Sequence, residues 1–239
     1  YKRSGSKLEN NGGLDKMSKC TTPLLPQISP SMTYDLAISF LTPHRIVAEK
    51  VKAKKKIAWI HTDYTRVWAD AEDELKVWQK YDYVASISGD VTNTFLQVFP
   101  SLAPKIVEIE NILSPAFVRK RTELEDTDKE FRQTDNISLL SIGRYSEQKN
   151  YDNVPDICKR LINETKLNIK WYIIGYGGDE ALIRQKIKEA GMEEHVILLG
   201  KRSNPYPYIK ACDIYVQPSR YEGKSVTVRE AQMLCKPVV

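Results

Sequence analysis

The chain has 239 residues, 41% hydrophobic and 28% charged, with a formal net charge of +5. That is enough apolar material for one large domain or two small ones, each with a real core. The mild positive charge allows contact with phosphates or an anionic membrane face but is no nucleic-acid signature, and no apolar run reaches membrane-spanning length.

Residues 1–33 are irregular and read as loop, helix fragments or disorder. The chain starts with Tyr1 and not Met, and no signal peptide is visible, so a true N-terminus is expected to be missing. Strand and helix then alternate. "DLAISF" (35–40) reads as a strand and 43–53 as a helix. "KIAWIH" (56–61) reads as a strand, followed by a helix over 65–81 with Val67, Ala71, Leu75 and Trp78 on one face. "YVASIS" (83–88) is a strand, Thr92–Phe99 a short helix, and "KIVEIEN" (105–111) a strand. Residues 114–136 are polar and charged, and make the best linker. Strands follow at "ISLLSIG" (137–143), "IKWYIIG" (169–175), "VILLG" (196–200), "IYVQPS" (214–219) and "PVV" (237–239). Helices fill 150–165, 179–190, 205–212 and 226–235.

This alternation implies an α/β protein with parallel sheets covered by helices. It divides into Rossmann-like domains at 1–113 and 137–239, joined by the linker. The four cysteines, Cys20, Cys158, Cys212 and Cys235, form no CxxC pair, and the histidines do not cluster. That argues for reduced thiols in a cytosolic compartment and against a zinc site.

Ligands of such sheets bind beyond the carboxyl ends of strands. After 137–143 stand Arg144 and Lys149, a bidentate fork and a point charge suited to phosphate. After 169–175 comes "GYGGDE", whose glycines let backbone approach something closely. It is not GxGxxG, so a dinucleotide reading is weak. After 214–219 comes "RYEGKSVTVREAQ", with Glu222 and Glu230 eight positions apart around Gly223. Ser225, Val226 and Thr227 open a helix there, and a helix start suits a diphosphate. Taken singly, each cation or glutamate is an ordinary solvated residue, and two glutamates can share a helix face by chance. Their arrangement along one sheet is what points to a site.

These segments resemble one family. "SIGRYSEQKNYD", "WYIIGYGGDEALI", "VILLGKRSNPYPYIKACDIYVQPSRYEG" and "SVTVREAQMLCKPVV" are similar to the GT-B fold retaining glycosyltransferases, family 4-like (glycosyl transferases group 1), of the bacterial capsule and lipopolysaccharide type. The likeness is close over about 100 residues of the second half. It reaches the first half more weakly, through "KKKIAWIHTDYT" and "EIENIL".

The resemblance implies two Rossmann-like doubly wound domains facing a cleft, here truncated at both ends. It implies transfer of a sugar from a nucleotide-sugar, UDP- or GDP-linked, to a glycan or lipid-linked acceptor with retention of configuration. The nucleotide-sugar is a substrate, so no cofactor and no metal are expected. Glu222 inherits contact with the donor sugar, and Glu230 inherits the ribose hydroxyls. Arg144 and Lys149 would neutralise the leaving diphosphate. Gly223, Ser225, Val226 and Thr227 would meet the donor at the helix start. Lys201 and Arg202 fall on the base-contacting segment. In the first half, His61 would face the donor sugar, with Asp63 and Tyr64 on the acceptor side. His44 and His195 are left as surface or packing residues.

The basic run "RIVAEKVKAKKK" (45–56) is either a solvated helix face or a patch for anionic lipid headgroups. The resemblance favours the lipid slightly, and with it a cytoplasmic protein peripheral to the inner membrane face. An epimerase of the same architecture and a catalytically dead nucleotide-sugar-binding module are the alternatives.

Overall fold

The computed structural model describes residues 12–67, 70–124, 127, 131 and 135–239. It divides into two compact units, Tyr1–Asn111 and Ile112–Val239.

In the first unit, α1 (Gly12–Thr21) leads to β1 (Tyr34–Ser39), α2 (Arg45–Lys50), β2 (Ala53–Ile60), α3 (Ala71–Trp78), β3 (Tyr83–Ser86), α4 (Gly89–Val98) and β4 (Ile106–Glu108). The four strands pair in parallel in the order β1-β2-β3-β4. One core forms from Ala58, Ile60 and Val84 of the strands with Val77, Trp78, Val91 and Phe95 of α3 and α4. The expected helix over 65–81 is shorter. Asp63 caps a 3-10 turn at Tyr64–Arg66 by accepting from the Thr65 N–H at 2.9 Å. Asp70 then caps α3 by accepting from Asp73, so two caps divide what the apolar spacing joins. Residues 68 and 69 lie outside the described residues.

The second unit runs α5 (Pro115–Arg121), β5 (Ile137–Ile142), α6 (Val154–Thr165), β6 (Ile169–Ile174), α7 (Glu180–Ala190), β7 (Val196–Gly200), α8 (Tyr206–Ala211), β8 (Ile214–Tyr215) and α9 (Val226–Met233). Its sheet is also parallel, in the order β7-β6-β5-β8. Here both faces are covered. Leu139, Ile169, Trp171 and Ile173 pack with Val154, Cys158, Ile183 and Ile187 of α6 and α7. The alternate residues Leu140, Tyr172 and Ile174 pack with Tyr208 and Ile209 of α8 and Ala231 of α9. That is why β5 and β6 are continuous apolar runs rather than alternating ones. Each fully buried Leu or Ile stabilises by about 2 kcal/mol. Of the expected strand "PVV", Val238 bridges Tyr215. α5 falls inside 114–136, in the second unit, and part of that stretch lies outside the described residues.

Candidate active site

The order β7-β6-β5-β8 contains a reversal. The chain steps outward from β5 to β7, then returns to place β8 on the other side of β5. Loops leaving two such adjacent strands diverge, and a crevice opens at their carboxyl ends. In this unit those loops are 143–153 after β5 and 216–225 after β8, and they carry the sequence-predicted donor residues.

The two loops are stitched together. The Arg220 N–H donates to Gln148 O at 2.8 Å. The Gln148 side chain donates to Tyr221 O at 3.2 Å, and Asn150 to Pro218 O at 2.9 Å. The Arg220 guanidinium grips Asp152 through both nitrogens, at 3.1 and 2.8 Å, and also meets Glu147 O. This stitching fixes Lys149 against Glu222, although 73 positions separate them. Lys149 Nζ lies 2.5 Å from Glu222 Oε1, with both side chains mostly sheltered. The same oxygen accepts from Ser219 Oγ at 2.7 Å and Gln217 Nε2 at 2.9 Å. The sequence reading gives Lys149 and Glu222 to different parts of a ligand. In the structure they bind each other. Arg144, one turn nearer the strand, is exposed.

The helix that follows closes the other side. Ser225 caps α9 by accepting from the Val228 N–H at 3.4 Å, and Thr227 Oγ1 donates to Gln217 Oε1 at 3.3 Å. Gly223, Ser225, Val226 and Thr227 are all half-buried. The first N–H groups of such a helix have no partner within it and favour an anion. Glu230, one turn further, is buried and accepts from Tyr206 OH at 2.8 Å. Burial raises the Glu230 carboxyl above its ordinary range, against the opposing Tyr206 hydrogen bond. Tyr206 itself is pushed up to about 12 by burial and by Glu230.

Lys201 follows β7 and sits over the Tyr176 ring at 5.2 Å. Arg202 Nε donates to Tyr208 OH at 3.1 Å. Two of the glycines of "GYGGDE", Gly175 and Gly177, serve the fold. A Cβ on Gly175 would lie 1.9 Å from Gly143 O, and one on Gly177 would lie 2.3 Å from Tyr145 O. What these glycines let approach is the neighbouring strand-end loop.

In the first unit, His61 follows β2. Its Nε2–H donates to Phe40 O at 3.0 Å and its ring meets Phe40 edge-on at 4.5 Å. Burial lowers its pKa, so the imidazole is kept neutral. Tyr64 belongs to the core, packed between Trp78 and Phe95 at 5.7 and 5.0 Å, and does not line a surface. Asp63 is spent on its cap and on Arg66 at 3.4 Å. His44 is buried against Trp78, and Ser39 Oγ lies 2.8 Å from its Nδ1. His195 Nδ1 pairs with Ile169 O at 2.8 Å. The basic run is a short helix and then a strand. Lys50 and Lys52 donate to Pro23 O and Pro30 O, Lys54 and Lys55 pair with Asp35 and Asp82, and Lys56 donates to Ala48 O.

Sequence reasoning misses Gln217, Ser219 and Tyr206, since a neutral polar residue past a strand carries no signal by itself. Among the described residues, no three His, Cys, Asp or Glu side chains cluster as metal ligands, and no helix is long and apolar enough to cross a membrane.

Residues 123–239 match the family model of the glycosyl transferases group 1. That segment fills nearly the whole second unit, and the likeness to the group 1 family is a likeness of that unit. An uncharacterized glycosyltransferase of Methanocaldococcus jannaschii is 29% identical over 140 residues, covering 58% of this chain and 32% of that protein. The amylovoran biosynthesis glycosyltransferase of Erwinia amylovora is 26% identical over 154 residues, covering 58% and 43%. The chain thus spans less than half the length of these relatives. The crystal structure of the Anabaena protein HepE in complex with UDP and glucose matches 98% of this chain and 64% of its own, with a TM-score of 0.70 and 15% identity. That likeness speaks to the fold, an α/β GT-B fold with two parallel four-stranded sheets.

Proposed function

We propose that this chain is part of a retaining glycosyltransferase, in polysaccharide biosynthesis, that moves a sugar from a nucleotide-sugar to a glycan or lipid-linked acceptor. The observation that carries the reading is the Lys149–Glu222 pair at the switch point. In a nucleotide-sugar the sugar and the diphosphate meet at one bond. A carboxylate for sugar hydroxyls and a cation for phosphate, held side by side, match that junction. Glu230 lies further along α9, where ribose hydroxyls would follow the diphosphate.

In this reading the acceptor hydroxyl oxygen bonds to the anomeric carbon as the bond from that carbon to the diphosphate oxygen breaks. The hydroxyl proton passes to the departing diphosphate. Arg144 and Lys149 stabilise the charge that grows there, in the place a divalent cation fills elsewhere. Gly223, Ser225, Val226 and Thr227 receive the diphosphate at the α9 start, and Lys201 and Arg202 border the base. His61 is the first unit's contribution to transfer, and His61→Ala should lower kcat while leaving UDP affinity unchanged. The UDP and glucose of the Anabaena complex favour a UDP-sugar over a GDP-sugar.

Calorimetry with UDP and with a panel of UDP- and GDP-sugars tests the reading. Glu222→Ala should spare UDP binding and remove the sugar's contribution. Equal losses for both ligands would overturn the assignment. Arg144→Ala and Lys149→Ala should each slow transfer by on the order of 100-fold, and activity should persist with a chelator present. Product analysis without acceptor separates transfer from epimerisation. Lys52, Lys54 and Lys55 are exposed, and sedimentation with phosphatidylglycerol vesicles tests whether they also meet anionic headgroups.

A further inference from the structure

We infer that Gln217 is a positioning residue that orients Glu222, and so sets how strongly this site distinguishes a nucleotide-sugar from its bare nucleotide. The inference rests on the donor reading above and adds a residue that neither the motif nor the family match assigns.

Gln217 is the hub of a closed set of hydrogen bonds. Its Oε1 accepts from Tyr215 OH at 3.0 Å and Thr227 Oγ1 at 3.3 Å. Its Nε2 donates to Ser219 Oγ at 2.8 Å and Glu222 Oε1 at 2.9 Å. The orientation of the amide is forced. A carboxylate only accepts, so the NH₂ end must face Glu222, and the carbonyl end is left to the hydroxyls of Tyr215 and Thr227. Tyr215 is a wholly buried residue of β8, and Thr227 stands in the first turn of α9. Gln217 is therefore anchored from beneath and from the side, on rigid elements.

The consequence falls on Glu222. Lys149, Ser219 and Gln217 all converge on one of its oxygens, Oε1. Three donors on one oxygen fix the rotation of the carboxylate. They leave Oε2 as the oxygen without a donor among the described residues, on a side chain that is 25% exposed. An oriented acceptor loses little freedom when a sugar hydroxyl arrives, and that is how supporting residues convert a contact into discrimination. Lys149 cannot do this alone, since diphosphate competes for it. Gln217 is neutral and keeps its bond to Glu222 when the anion binds.

The test compares two replacements of similar length and opposite hydrogen-bonding character. Gln217→Glu keeps the acceptor for Tyr215 and Thr227 but faces Glu222 with a second acceptor. Gln217→Lys keeps a donor toward Glu222 and Ser219 but loses the acceptor. Calorimetry with UDP and with UDP-N-acetylglucosamine or UDP-glucose gives the ratio of the two affinities for each variant. Positioning predicts that this ratio falls by about tenfold in Gln217→Glu, whatever the added charge does to UDP affinity itself, and that Gln217→Lys keeps most of it. If the amide only braces Tyr215 and Thr227, the order reverses, and Gln217→Lys is the damaged variant in both ligands and in melting temperature. That result, or an unchanged ratio in Gln217→Glu, overturns the inference. A wild-type chain that binds none of these nucleotides overturns the donor reading itself, which is a separate outcome.

Discussion

At the scale of single residues, the two glutamates sit in different physical settings, and this decides how each should respond to substitution. Glu222 is half-buried and held by Lys149. Glu230 is 7% exposed, with the Tyr206 hydroxyl as its neutral partner and burial raising its pKa. A carboxyl whose folded pKa is raised fits the fold best when protonated. Its stabilising contribution is present below the unfolded carboxyl pKa and is lost as pH rises through the folded one. At neutral pH the charged Glu230 is therefore a strain on the second unit. Glu230→Gln keeps an acceptor for Tyr206 without the charge, so it should raise melting temperature at pH 7, and the gain should shrink on acidification to pH 4. The same change should weaken UDP binding by roughly ten- to a hundredfold, since a charged hydrogen-bond acceptor is worth about 1.5–3 kcal/mol. A variant that is both less stable at pH 7 and unchanged in UDP affinity would count against both assignments. Glu230 would then be an ordinary structural residue that selection had no reason to leave strained.

At the scale of elements, the strand-end loops show where sequence patterns carry information and where they stop. Strand runs such as "ISLLSI" and "IKWYII" stand out because burial on both faces demands uninterrupted apolar residues. The cap at Asp70 is less visible, since it is set by one side chain reaching one N–H. The pairing of Lys149 with Glu222 is invisible in one dimension, because it depends on β8 lying beside β5. The glycines of "GYGGDE" illustrate the middle case. Their need for close approach is readable, but the partner is not. Gly175→Ala and Gly177→Ala force a Cβ into backbone at 1.9 and 2.3 Å, and each should destabilise the second unit by about 3 kcal/mol or more. Gly178→Ala meets nothing within 4 Å and should change stability by less than about 0.5 kcal/mol. Urea unfolding of the three variants checks this ordering. In the first unit, His44 plays the comparable role at the turn into α2. Burial, aided by His61, holds its imidazole down to about 4, against 6.5 for a free side chain. A lowered histidine contributes stability above the unfolded pKa, and that stability is lost as pH falls from 6.5 toward 4. The loss is on the order of 3 kcal/mol. Amide exchange in α2 and α3 should accelerate over that window in the wild type, and His44→Gln should flatten the dependence.

At the scale of the whole molecule, the two sheets differ in what their order provides. The second has a reversal of strand order, two covered faces and a set of polar side chains converging where the reversal opens. The first runs β1-β2-β3-β4 without a reversal. One face of its outer strand carries Leu36 and Ile38, and Phe40 follows just past the strand end, each about half exposed at 47–51%. Its buried core lies on the other face, under α3 and α4. Each unit therefore has its own core, and the proposed nucleotide binding is assigned to one of them alone. The linkage is quantitative. A ligand that binds only the folded second unit stabilises it by about 2.7 kcal/mol at a concentration 100 times its Kd. Saturating UDP should therefore slow amide exchange through β5, β6, α9 and the two stitched loops. Opening of β2, β3 and α4 should be unaffected. Arg220→Met, which releases Asp152 and Glu147 O, should reduce the UDP-induced protection of both loops while leaving the strands beneath them protected. Protection by UDP that appears equally in both units would show that the nucleotide site is not confined to the reversal in the second sheet.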